Sequence, residues 1–185
     1  MSRLAEWFGA LGGWAWDRHH NILSWYVRPL FLLPFCYFAF RRSLLGIGAT
    51  LVALVTSMAW FPAPARPSAA VVAMLDTERD YLLGEWTVAK VAIALLIPLM
   101  FAAIALALWR RSLPWALVVI NGAVLFKVAW TFWYGDATGA LAHLTPALLG
   151  LAIVDAALIG AARWYARRQR RGRAPLAGLP HPGRG

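Results

Sequence analysis

A single cysteine, Cys36, in 185 residues excludes a disulfide within the chain and says nothing about redox compartment. Acidic residues are almost as scarce, eight against eighteen Lys and Arg, and charged residues make up only 14%, below the quarter or so usual in soluble domains. Lysine is nearly missing: Lys90 and Lys127 are the only two. Cys-x-x-Cys, His-Glu-x-x-His, a glycine-rich phosphate loop and Gly-x-Ser-x-Gly do not occur, so dithiol redox enzymes, zinc hydrolases, phosphate-loop enzymes and serine hydrolases have no motif here. No nucleophile stands with a base. These absences point away from an enzyme, and a membrane enzyme acting on lipid ranks third among the functional classes.

What is present is apolar: 61% hydrophobic residues and a mean hydropathy of +0.61. This composition predicts an all-α integral membrane protein. Abundant Ala and Arg match a GC-rich bacterial coding sequence, and with the hydropathy they suggest a multi-pass protein of the bacterial inner membrane. The net charge of +10 draws six of its ten charges from Arg167, Arg168, Arg170, Arg171, Arg173 and Arg184. Such a basic run immediately after an apolar segment is expected to contact anionic lipid head groups rather than nucleic acid.

Residues 1–21 lack the basic start and clean apolar core of a signal peptide, because Glu6, Gly9, Gly12 and Gly13 interrupt them. Trp7, Phe8, Trp14 and Trp16 suggest a segment lying in the interface. Five spans are expected in a membrane domain of residues 22–165: 22–40, 44–61, 86–109, 113–134 and 144–165. Arg28, Pro29 and Pro34 interrupt the first, where a kink is expected, with Arg28 snorkelling outward. Residues 68–83, capped by Ser68 and acidic in their second half, predict an interfacial helix between the second and third spans. Thr145 followed by Pro146 signals the start of the fifth span, and residues 166–185 read as a basic disordered tail.

Short basic loops stay in the cytoplasm. With five spans, Arg41 and Arg42, Arg110 and Arg111, and the cluster from Arg163 onward all fall on that side. The N-terminus is then outside, and Glu6, Asp17, Asp76, Glu78, Asp80, Glu85 and Asp136 share the outer face. Both basic turns read Arg-Arg-Ser-Leu, at residues 41–44 and 110–113. A duplicated hairpin would produce this, and so would selection for basic turns alone.

Four ionisable residues are candidates for an intramembrane or outward-facing polar pocket: Lys127, Asp155, Lys90 and His143. Lys127 lies seven residues, about 10 Å, inside the outer end of its span, and Asp155 eleven residues, about 16 Å, inside its own. A lysine stem bridges that difference, so the two are expected to pair. Lys90, about 6 Å deep, snorkels or reaches Glu85, Asp136 or His143. Neutral amines form from lysine and not from arginine, which singles out the two lysines for titratable roles.

His19 and His20 are adjacent, a spacing that turns their rings about 100° apart on a helix, so neither a metal nor another cofactor is expected. Ala152, Ala156 and Gly160 give the fifth span a small-residue face for packing within the protein, or against a homo-oligomer or a larger membrane complex. Two functional classes lead. One is a small-solute or ion transport or binding protein with a periplasm-facing pocket; the other is an accessory subunit or assembly factor.

Overall fold

The computed structural model describes residues 3–134 and 137–173. Asp136 and the chain beyond Arg173 lie outside the described residues, as do the side chains of His143, Arg171 and Arg173. Among the described residues the regular structure is entirely helical: α1 (Arg3–His19), α2 (Ile22–Val27), α3 (Leu32–Phe40), α4 (Leu44–Thr56), α5 (Ala69–Leu83), α6 (Val88–Trp109), α7 (Leu113–Tyr134) and α8 (Ala137–Arg173). Short 3-10 turns, Arg28–Phe31 and Ser57–Ala59, link α2 to α3 and extend α4.

Four helical segments are long and apolar enough to cross a membrane: Ile22–Phe40, Val88–Trp109, Leu113–Trp133 and Leu144–Arg170. The fifth expected span is the shorter apolar helix Leu44–Ala59. At 1.5 Å per residue it reaches about 24 Å, short of the roughly 30 Å hydrocarbon layer. Large apolar side chains such as Leu45, Val88, Ile97, Leu99, Val118 and Leu125 stand exposed on the outside of the bundle. Each one left in water would forgo roughly 1.5 to 3 kcal/mol relative to an apolar surrounding, so this surface calls for hydrocarbon.

Proline accounts for the break in the first span. Pro29 has no N–H for a helical ladder, and the chain passes through a 3-10 turn there before α3 resumes. Pro146 behaves differently. Residues 144–165 were expected to begin at Thr145, yet α8 starts at Ala137 and carries Pro146 in its interior. Membrane helices tolerate this because neighbouring groups take up the freed carbonyl. The helix also continues to Arg173, so the first part of the expected disordered tail is helical. On α8, Gly150 faces Pro29, where a Cβ would collide with the proline ring.

The membrane core joins α3, α6, α7 and α8 through Phe35, Cys36, Ala39, Ile104, Leu108, Ala116, Ile120 and Val154. The small-residue face of α8 does not enter it. Ala152, Ala156 and Gly160 are exposed, and the helix turns Val154 inward instead. A second cluster, Trp25, Val71 and Leu75 with Trp16 and Met74, packs α5 over α1 and α2 at the other end of the bundle from the two arginine turns.

Candidate functional site

The end of the bundle opposite the arginine turns is closed by α1, α2 and α5. The Arg18 guanidinium donates to the Phe61 carbonyl at 3.2 Å, and the Asn21 amide donates to that of Pro62 at 3.0 Å. Asn21 also caps α2, its Oδ1 accepting from the Leu23 N–H at 3.0 Å. Trp25 Nε1 donates to the His19 carbonyl at 3.1 Å. These contacts fix the C-terminus of α1 and bury His19 to 3% exposure.

Arg28, the residue that closes α2, points back at this histidine. Its Nη1 lies 3.3 Å from His19 Nε2. A guanidinium only donates, so Nε2 must accept and the proton of the neutral ring sits on Nδ1. That proton faces the Ser24 oxygen at 3.5 Å, and the Ser24 hydroxyl donates to the Asn21 carbonyl at 2.8 Å. Arg28 Nη1, His19 Nδ1 and the Ser24 hydroxyl each have an acceptor only while His19 is neutral. Burial first, then the positive charges of Arg28, His20 and Lys127, push its pKa down to about 4.

Two cations and one carboxylate complete the cluster. Glu78 of α5 acts electrostatically on both Arg28 and Lys127, and these two cations act on each other. Arg28 Nε is buried and has no hydrogen-bond partner. Lys127 is exposed, and among the described residues its ammonium has no hydrogen-bond or ion-pair partner. Among the described residues, Glu78 is the acid that acts on these two cations.

The other lysine is held differently. Lys90 is 7% exposed; its ammonium donates to the Gly84 carbonyl at 3.0 Å and to the Tyr81 carbonyl, and sits 4.7 Å from the ring centres of both Tyr81 and Trp86. Snorkelling into water, or pairing with Glu85, is not what it does. Two carbonyls freed at the end of α5 and two aromatic faces satisfy it, and the result ties α6 to α5. An open pocket of about 300 Å³ beside it is lined by Asp80, Glu85, Thr87 and Trp130.

Lys127 and Asp155 do not form the expected pair. Both oxygens of Asp155 accept from the Asn121 amide, at 3.3 and 3.1 Å. Asn121 precedes Lys127 by six residues, about 9 Å along the helix, so this register leaves Lys127 well outward of the carboxylate. The four sequence candidates thus separate: Lys90 in its own cage, Lys127 within electrostatic range of Arg28 and Glu78, Asp155 on Asn121. His143 lies in α8, with its side chain outside the described residues. Arg28, His19 and Asn121 carry the polar contacts instead, and Glu78 acts on Arg28 electrostatically. The available sequence signals were an arginine inside an apolar span and an amide in mid-span.

Among the described residues no three His, Cys, Asp or Glu side chains gather to hold a metal. His20 turns away from His19, its Nδ1 meeting the Trp16 carbonyl at 3.0 Å. The chain matches no protein-family model, no curated protein and no solved structure.

Proposed function

We propose that this is a multi-pass protein of the bacterial inner membrane that binds a small anionic solute at its outer end, as a transport or binding protein. Five crossings, counting Leu44–Ala59, put the N-terminus outside and the C-terminus in the cytoplasm, with α1 and α5 lying over the outer surface. The arginine-rich end of α8 then meets anionic lipid of the inner leaflet. The observation that carries the solute reading is the buried Nε of Arg28, which has no hydrogen-bond partner among the described residues, with the exposed Lys127 within electrostatic range of it. Buried donors without acceptors cost roughly 1 to 3 kcal/mol, and an entering anion relieves that cost. An accessory subunit has no such need for a buried cation with an unused donor.

The test is thermal unfolding of the purified protein in phosphatidylcholine nanodiscs, with chloride, acetate or sulfate added at constant ionic strength. At least one anion should raise the midpoint by several degrees, the size expected when ligand is about 100-fold above its Kd. No response to any of the three would overturn the proposal. Topology is tested separately by reporter fusions active only outside the cell, which should be silent after Arg42 and Arg111 and active after Pro64.

A further inference from the structure

The two Arg-Arg-Ser-Leu turns are built alike. At the first, the Arg42 N–H donates to the Ala39 carbonyl and the Ser43 N–H to Phe38; at the second, Arg111 donates to Leu108 and Ser112 to Ala107. Both close their helices with a residue in the left-handed region, Arg42 at φ 57° and Arg111 at φ 62°. Glycine occupies such a position with about 1 kcal/mol less strain, so each turn keeps an arginine against backbone preference.

The turns also hold each other. Arg42 crosses to the second, donating through Nε at 3.2 Å and Nη2 at 3.0 Å to the Trp109 carbonyl. Arg111 crosses back, its guanidinium 3.8 Å from the centre of the Phe40 ring. Phe40 and Trp109 are equivalent positions, each immediately before its Arg-Arg pair. The exchange is reciprocal, and it brings the two Arg-Arg pairs together at one end of the bundle.

Two of the four are committed to that lock. The other two, Arg41 and Arg110, are exposed at the ends of α3 and α6. No acidic residue occurs anywhere in residues 18–75 or 86–135, the stretches that contain these turns. The patch repels itself and lacks a counter-charge from its own sequence. Its surroundings indicate where one comes from: Leu44, Leu45 and Trp115, directly after the turns, are 72%, 86% and 66% exposed. An anion bound here sits where apolar side chains begin, at the level of lipid phosphates.

We propose that Arg41 and Arg110 together bind the phosphate of an anionic phospholipid, at a site built by the reciprocal lock and separate from the basic end of α8. The test uses the full chain in nanodiscs of phosphatidylcholine alone or with phosphatidylglycerol, read by thermal unfolding. Phosphatidylglycerol should raise the midpoint by about 5 °C, a shift of the size set by ligand linkage. Arg41→Gln with Arg110→Gln should lose most of that shift. Arg167→Gln, Arg168→Gln and Arg170→Gln together should keep most of it. Inorganic phosphate in pure phosphatidylcholine discs should act equally on the wild type and the Arg41/Arg110 variant.

A full lipid shift in the Arg41/Arg110 variant, or its disappearance in the α8 variant, would overturn the proposal. So would an inorganic-phosphate response that only the Arg41/Arg110 variant lacks, since the site would then take free phosphate. If the double substitution does not fold, each single substitution should lose about half the shift, and singles retaining all of it would contradict the site equally.

Discussion

Lys90 and Lys127 are the chain's two lysines, both sit within one or two turns of the same end of an apolar helix, and they end in opposite circumstances. Lys90 is surrounded by acceptors from its own chain: two carbonyls from the end of α5 and the faces of Tyr81 and Trp86. Lys127 is exposed and, among the described residues, has no hydrogen-bond or ion-pair partner for its ammonium; it feels another cation, Arg28, and one acid, Glu78, which acts on both. Depth in the membrane does not separate them. What separates them is whether the fold supplies enough negative partners, so Lys90 reads as a fastening and Lys127 as a site.

The largest expected effect is on the fastened lysine. Lys90→Met leaves two carbonyls at the α5 end without their donor and removes both ring contacts, a loss of about 3 to 4 kcal/mol. Thermal unfolding in nanodiscs should show it as a drop of roughly 10 °C. A variant as stable as the wild type would erase the distinction between the two lysines.

Acid sharpens the comparison from the other side. Above about pH 6.5 the folded and unfolded imidazole are both neutral, and the His19 network is complete. Its folded pKa is lowered to about 4, so between pH 6.5 and 4 the unfolded chain binds a proton that the folded chain refuses. Stability is therefore lost as pH falls through that window, by about 2 to 3 kcal/mol. The charges facing the ring, Arg28, His20 and Lys127, all oppose its protonation, while Glu78 offsets part of Arg28 and Lys127. In His19→Gln the pH 4 to 6.5 slope should largely vanish; an unchanged slope would assign it to another group.

The smallest effect tests the register that keeps Lys127 free. Asn121→Leu and Asp155→Leu should be coupled by about 1 kcal/mol in a double-mutant cycle, the scale of interhelical hydrogen bonds in membranes. Lys127→Met and Asp155→Leu should instead be additive. Coupling in the second cycle would restore the Lys127 and Asp155 pair.

Much of the fold was legible because membrane burial acts on long stretches. Hydropathy located Val88–Trp109 and Leu113–Trp133 almost to the residue, and Ser68 caps its helix as expected. Pro146 misled, since in lipid a proline interrupts one hydrogen bond without ending the helix. The site was less legible because it depends on α1 and α5 folding over the spans, which places His19 against Arg28 and brings Glu78 within electrostatic range of it. Arg28 was expected to reach water; it does point outward, but it meets His19 first. Asp155 found Asn121 because antiparallel register, not depth counted from each helix end, decides which side chains are level.

The most direct test compares the two lysines in one experiment. Wild type, Lys90→Met and Lys127→Met are unfolded in phosphatidylcholine nanodiscs with and without the most stabilising of chloride, acetate and sulfate. Lys90→Met should unfold at a much lower temperature yet keep its shift with the anion. Lys127→Met should unfold within about 1 kcal/mol of the wild type, since it removes one of two mutually repelling cations, and should show no shift. A Lys127→Met protein that responds fully to the anion, or a Lys90→Met protein that alone fails to respond, would contradict the assignment of Lys127 to the site and Lys90 to the frame.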